Sequence, residues 1–431
     1  MAEQHKLFHI LKRFQSLPVW LVCLFLFLFL FTYRVVLAFE FKRDLTSDHC
    51  EVENVAVTLA RDGVFGTPYK VPTGPTSHVA PAYAGLLGLI YKTLGTGAPG
   101  EAARQLLCCG VTSLQYGLLP LLSVVAGLGL WTGVIAGLAG GLLITHFWIE
   151  TKCTFGEPYH SLILILLCAS TLKLWKRSEI STGQSVALGL GWGVAFLFAP
   201  NLLTVFCGLI CLEFVLFARG QRRRRLLHFG LVAATIAAVL APWTIRNYRQ
   251  FHRWIFVRGN FGLELAVANT ESSALTVMEN VKRPSKIHPN QNDVAARELR
   301  DIGETAYFAR MTRLAMTWIS EHPAEFAHRT AVRCLYFWFP PPLEGNRPLF
   351  RAAIVWAITL LGFAGLILMR KRGPIFWFIC VLWLTFPAVY YIVLFDPRYR
   401  YPIDWSILFC AAYALARRIP ALRAAPRAPA R

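Results

Sequence analysis

Residues 17–38 read LPVWLVCLFLFLFLFTYRVVLA. An apolar stretch of about 18 or more residues with almost no charge is long enough to cross the hydrocarbon core of a bilayer as a helix. A short basic segment carrying Lys6, Lys12 and Arg13 precedes it, but the run is longer than the core of a signal peptide and lacks a small-residue cleavage pattern. It reads as a retained first membrane helix. Working outward by the same criterion, ten spans emerge, at 17–38, 103–126, 129–149, 158–175, 182–198, 201–218, 226–243, 350–369, 374–395 and 403–416. The predicted fold class is an all-α integral membrane protein of about ten transmembrane helices, a single membrane domain over residues 1–431.

Composition agrees with this reading. The 431 residues are 55% hydrophobic and only 16% charged, below the roughly 25% usual in a soluble domain. The net charge of +20 does not point to nucleic acid, because Lys and Arg are scattered between apolar runs instead of being collected in one block. They are topology signals and contacts for lipid phosphates. Eleven cysteines, spread singly apart from Cys108-Cys109 and without a CxxC spacing, indicate neither a zinc site nor a disulfide framework.

Basic residues in short loops are retained on the cytoplasmic side. With the N-terminus inside, the cytoplasmic turns carry Lys173, Lys176 and Arg177, then Arg219 and Arg222 to Arg225, then Arg370, Lys371 and Arg372. Two long stretches, 39–102 and 244–349, then lie outside. Within the first, residues 80–95 form a short apolar helical segment bounded by Pro81 and Gly95, expected to lie on the membrane surface. Within the second, 292–332 carries helical spacing broken at His322-Pro323, a small helical lobe. No internal repeat is visible, which counts against repeat-built transporters.

The chemically promising residues fall in these outer stretches. Asp48, Glu51 and Glu53 follow the first helix, and a Gly/Pro-rich loop, Thr73-Gly74-Pro75-Thr76-Ser77-His78-Val79-Ala80-Pro81-Ala82-Tyr83, comes after them. Three carboxylates within six residues can be an acid/base cluster or simply a solvated acidic loop.

Further stretches recur in order along the chain: Ala241-Pro242-Trp243-Thr244-Ile245-Arg246-Asn247-Tyr248, Val257 to Leu265, His288-Pro289, Gly303-Glu304-Thr305-Ala306-Tyr307, His322-Pro323 and Arg398-Tyr399-Arg400-Tyr401-Pro402. With the acidic position after the first helix and the Thr73–Tyr83 loop, the chain resembles the bacterial multi-pass GT-C glycosyltransferases related to protein mannosyltransferases and to the lipid A aminoarabinose transferase. That resemblance implies transfer of a sugar from a polyprenyl-phosphate donor to a lipid, glycan or protein acceptor outside the bacterial inner membrane. A lipid phosphate is already a competent leaving group. Such a reaction needs a base for the acceptor hydroxyl and cations for the departing phosphate.

On the same resemblance, Glu51 takes the place of the catalytic base and Asp48 is the runner-up; the adjacent Asp-Glu pair of the mannosyltransferase branch would fall on Asp48-His49, so His49 departs from it. Glu157, in Phe155-Gly156-Glu157-Pro158, fits a second acidic position that orients the acceptor or helps hold a metal, or else it complements a helix dipole. Arg398 and Arg400 serve the donor phosphate or anchor the helix end among interfacial tyrosines, and Arg246 and Arg258 are lesser candidates for the same task. Asn260 and Glu264 are expected to line the cavity. Neither a cofactor nor a metal ligand is assigned. A divalent metal ion stays open, since His78 and His288 could ligate one although isolated loop histidines usually do not. The rival reading is a transporter or flippase of lipid-linked sugars.

Overall fold

The computed structural model describes residues 17–40, 50–143, 149–150, 155–177, 179–217, 222–283, 287–342 and 347–419. Asp48, His49 and the C-terminal tail lie outside them. Among the described residues the ordered structure is helical, with only isolated bridges at Gly66 with Pro75 and Thr276 with Phe395.

The first span is helix α1 (Val19–Glu40), with a mean hydropathy of 2.5 over its most apolar window. The first long interhelical stretch, expected from the sequence to lie outside, folds as α2 (Glu51–Asp62) and α3 (Pro81–Leu94). Helices α4 (Ala98–Gly117) and α5 (Leu119–Ala126) make one long rod, followed by α6 (Leu130–Leu142), α7 (Glu157–Trp175), α8 (Thr182–Phe198), α9 (Leu203–Phe217) and α10 (Arg222–Phe251). The second long stretch holds α11 (Phe261–Ala268), α12 (Val277–Val281), α13 (Asp293–Ile302), α14 (Glu304–Glu321) and α15 (Pro323–Trp338). Helices α16 (Pro348–Met369), α17 (Pro374–Thr385) and α18 (Tyr401–Ala416) complete the bundle.

Each of the ten predicted spans falls on an apolar helix, but length and composition qualify six of them to cross a membrane among the described residues. The other four, at Leu130–Leu142, Thr182–Phe198, Pro200–Val215 and Tyr401–Ala416, are shorter. Proline marks two of the helix ends: α8 stops at Phe198 before Pro200, and in a span that does qualify, α17 tightens into a 3-10 turn over Phe386–Tyr391, which carries Pro387. The opposite happens in α10, which runs through Pro242 to Phe251 and past the boundary expected at 243. Side chains beyond the proline hold it to the returning chain. Trp243 Nε1 donates to Val257 O, and Asn247 Nδ2 donates to Ile255 O, both at 2.9 Å.

The bundle packs around large aromatics, among them Trp192, Phe378, Trp405 and Phe409. In lipid, close approach of backbones substitutes for a hydrophobic driving force between helices. Gly365 of α16 illustrates this, since a Cβ there would lie 1.9 Å from the Cys410 carbonyl of α18. A second core joins the long stretches: Leu263, Leu265, Leu299, Tyr307, Phe308 and Met311 pack with Tyr69 of the first stretch and with Val393 and Leu394. The two long stretches are thus one packed body over the bundle.

Candidate active site

Where that body meets the bundle lies a cavity of about 450 Å³. Its walls come from the starts of α2 and α7, the end of α8, the 78–80 and 258–264 segments, His288, and the chain from Val389 to Tyr399. Helix ends dominate this wall. It is built where apolar packing gives way to chain that can carry charge.

Glu51 is the first residue of α2, and the local sequence determines where it points. Glu53, two residues on, closes a capping box by accepting from Cys50 N at 3.3 Å and is ion-paired to Arg104, which also holds Glu101. Glu53 is thereby committed to structure. Glu51 lines the cavity. Glu157, the first residue of α7 after Gly156, is buried and lines the same cavity, and its Oε2 has no hydrogen-bond partner among the described residues.

Glu51, His78 and His288 each present a ligand atom, and these atoms lie within 4.8 Å of one another. The histidines are isolated along the chain but adjacent in space, with rings 5.7 Å apart. Burial, with the charges of Arg258 and His288 next, holds His78 well below the ordinary histidine range, and a neutral ring is what a metal requires. His78 Nδ1 lies 3.1 Å from the buried Tyr69 hydroxyl. With its proton on Nδ1 donated to that oxygen, Nε2 is open for ligation, the usual outer-shell arrangement. His288 Nδ1 accepts from Asn290 N at 3.2 Å, so this ring must surrender that contact to ligate. With that one adjustment, a carboxylate and two imidazoles fit a divalent cation in donor type and spacing.

The arginines divide into two kinds. Arg398 stacks its guanidinium 3.9 Å from the Phe155 ring centre, has a long Nη2 bond to the Tyr399 hydroxyl at 3.4 Å and a 3.8 Å ion pair to Asp396, and has an Nε without a hydrogen-bond partner among the described residues. It lines the cavity, as does Arg258, whose Nε donates to His78 O at 2.5 Å and whose Nη2 lies 3.6 Å from Glu264. Asn260 joins this edge by donating to Glu264 at 2.7 Å. Arg246 and Arg400, by contrast, are outside the cavity lining. Arg246 donates to Thr76 O and Phe65 O, both at 2.8 Å; Arg400 is buried and bonds Asp404 at 2.7 Å and Trp338 O at 2.9 Å. Both are occupied in holding the chain together.

Eight of the residues singled out from sequence therefore share one cavity: Glu51, Glu157, Arg258, Asn260, Glu264 and Arg398, with the two histidines His78 and His288. Sequence reasoning passed over His160, Asn201, Gln291 and Tyr390, which also line it. Asn201 Nδ2 donates to the Tyr390 hydroxyl at 2.8 Å. Nothing in their local sequence separates them from ordinary helix-end polar residues.

No family model matches the chain, and no curated protein matches it by sequence. Solved structures do. An Archaeoglobus fulgidus oligosaccharyltransferase, tethered to an acceptor peptide, is similar over 91% of this chain and 49% of its own, with a TM-score of 0.52 at 13% identity. The same enzyme in complex with Zn and sulfate gives 0.48 at 12% identity, covering 85% of this chain and 44% of its own. ArnT from Cupriavidus metallidurans bound to undecaprenyl phosphate gives 0.37 at 15% identity, covering 91% and 78%. The chain thus spans about half the length of the oligosaccharyltransferase it matches. Its helical bundle, with a cavity under two long interhelical segments, shares the fold of that oligosaccharyltransferase over the matched part.

Proposed function

We propose that this chain is a glycosyltransferase that moves a hexosyl or pentosyl unit from a polyprenyl-phosphate donor to an acceptor hydroxyl outside the bacterial inner membrane, with the N-terminus cytoplasmic. One observation carries the reading: two carboxylates, Glu51 and Glu157, share a cavity at the ends of apolar helices with two arginines, Arg258 and Arg398. The basic residues in the turns at 173–177, 222–225 and 370–372 support the orientation.

In this mechanism the acceptor oxygen forms a bond to the anomeric carbon as the bond from that carbon to the phosphate oxygen breaks, inverting the centre. The acceptor proton passes to Glu51. Glu157 orients the acceptor, and the charge left on the phosphate is held by Arg398 and Arg258, whose planar forks suit it. A divalent cation, held by Glu51, His78 and His288, would supply positive charge beside the reacting groups. A carboxylate has two oxygens, so Glu51 can offer one to a cation and keep the other for the proton. Asp48 remains the alternative base.

The test is transfer of radiolabelled sugar from polyprenyl-phosphate donors in membranes containing wild type, Glu51→Gln or Asp48→Asn at matched expression. Glu51→Gln is expected to lower the rate by about 10²–10⁴-fold, the contribution of a positioned general base. Loss with Asp48→Asn alone moves the base to Asp48. Transfer that survives both substitutions rejects the mechanism, and a wild type that transfers from no donor rejects the function.

A further inference from the structure

The segment Thr76-Ser77-His78 carries a cavity residue, His78, on chain that has no regular secondary structure around it. Such a segment holds one conformation only if its backbone groups are satisfied elsewhere. All six are. Thr76 N donates to Phe65 O at 3.1 Å and Thr76 O accepts from Arg246. Ser77 N donates to Glu304 Oε1 at 2.7 Å and Ser77 O accepts from Gly259 N at 2.9 Å. His78 N donates to Thr76 Oγ1 at 2.9 Å and His78 O accepts from Arg258 Nε.

Glu304 is the centre of this junction. It is the first residue of α14, 227 positions from Ser77, and buried. Its Oε1 also accepts from Ser77 Oγ at 2.6 Å, while Oε2 accepts from Thr76 Oγ1, the same hydroxyl that receives His78 N. Every donor toward this carboxylate comes from the two residues preceding His78. On the other side, Gly259 approaches so closely that a Cβ would lie 2.6 Å from Ser77 Oγ, and Gly259 follows Arg258, another cavity residue. Glu304 itself is absent from the cavity lining.

We infer that Glu304 is a positioning residue for the transfer: by gripping Thr76 and Ser77 it sets His78, and through the Ser77–Gly259 contact Arg258, at the reacting centre. The inference rests on the glycosyltransferase reading and adds to it a residue that touches neither donor nor acceptor. Burial of so many bonded groups around one carboxylate makes the geometry sensitive. In Glu304→Gln the amide oxygen can still accept from Ser77, but the Thr76 hydroxyl loses its charged acceptor and must reverse its proton to accept from the NH₂, which loosens the hold on Thr76 and on the His78 N–H that it receives. Gly259→Ala presses on the same serine from the opposite side and leaves the carboxylate intact. Arg398, on a different segment, touches none of these groups.

The experiment uses the full chain in lipid nanodiscs as wild type, Glu304→Gln, Gly259→Ala and the double variant. It measures kcat and donor KM with a polyprenyl-phosphate sugar, hydrogen exchange by peptide, and melting temperature. Misplacing a reacting group by about 1 Å can cost on the order of 10²-fold in rate. Each single variant is expected to lower kcat roughly 10–100-fold, by more than any accompanying fall in melting temperature accounts for, with a smaller change in donor KM. Exchange should quicken at 74–80 and 255–260 alone, and the double variant should lose less than the product of the singles. The inference is overturned if kcat is unchanged in an active enzyme, if exchange at 74–80 does not respond, or if activity falls only in step with melting temperature. A wild type that transfers from no donor is a separate result, in which the glycosyltransferase reading fails and this one with it.

Discussion

Arg398 offers the sharpest quantitative test of the donor site. Its guanidinium is held flat against Phe155, with Tyr399 5.1 Å away on its own turn, and its nearest carboxylate partner, Asp396, is at 3.8 Å, beyond hydrogen-bond distance. The group is therefore half-buried and oriented, with one long bond, to the Tyr399 hydroxyl at 3.4 Å, that a phosphate oxygen could replace. A charge-assisted hydrogen bond is worth about 1.5–3 kcal/mol, and truncating one side of a buried charged pair costs about 2–5 kcal/mol. Taking roughly 3–4 kcal/mol for the loss of both bonds in Arg398→Ala, at 1.4 kcal/mol per tenfold, donor affinity should fall by about 10²–10³-fold. Arg398→Lys keeps the charge and one bond but loses the second bond and the stacked plane. It should fall between, at about 10–100-fold. The assay is equilibrium binding of polyprenyl phosphate to purified protein in nanodiscs, with folding checked by melting temperature. If both variants bind within about twofold of wild type while still folded, Arg398 does not hold the phosphate. If lysine is fully equivalent to arginine, the site uses charge alone and the bidentate argument is wrong.

Two further outcomes follow from the division of the arginines and the clustering of the histidines. Arg400→Gln breaks a buried pair to Asp404 and a bond to Trp338 O, so it should cost about 3 kcal/mol of stability in denaturant titrations, with donor affinity per folded molecule unchanged; an affinity collapse at full stability would move Arg400 into the donor site. Purified wild type dialysed against a zinc or manganese salt and then desalted should retain the cation by mass spectrometry. Tyr69→Phe, which removes the outer-shell oxygen on His78, should weaken retention by about 10–100-fold, and His78→Ala should abolish it, whereas equal retention in all three would place the cation elsewhere.

Much of the architecture is legible locally. A helix in lipid must satisfy its backbone internally and present apolar side chains along its length, so the ten apolar runs are visible one at a time, without knowledge of any partner. Their ends were less legible. Pro200 and Pro387 stand at helix ends as their chemistry suggests, but α10 runs on through Pro242, and Trp243 and Asn247 tie its last turns to the segment that follows. The candidate site follows the same split. Glu51 and Glu157 stand in motifs beside helix starts, and those motifs did place them on a common cavity.

The amino-acid sequence by itself determined that this is a multi-pass helical membrane protein whose carboxylates and arginines concentrate between particular helices, because hydrophobicity, proline and charge act through a residue's immediate neighbours. It did not distinguish Arg398 from Arg400, two residues apart in one basic aromatic turn, and it preferred Glu51 to Glu53 through the family resemblance alone. The tertiary structure supplies the physical reason for both, by giving Arg400 an aspartate and a carbonyl, Glu53 an arginine and an N-cap, and leaving Glu51 and Arg398 turned into the cavity. It also brought His78 beside His288 and placed Glu304 beneath Thr76 and Ser77. A buried charge takes its role from whichever groups pack against it, and at Glu304 those groups come from a loop 227 and 228 residues away.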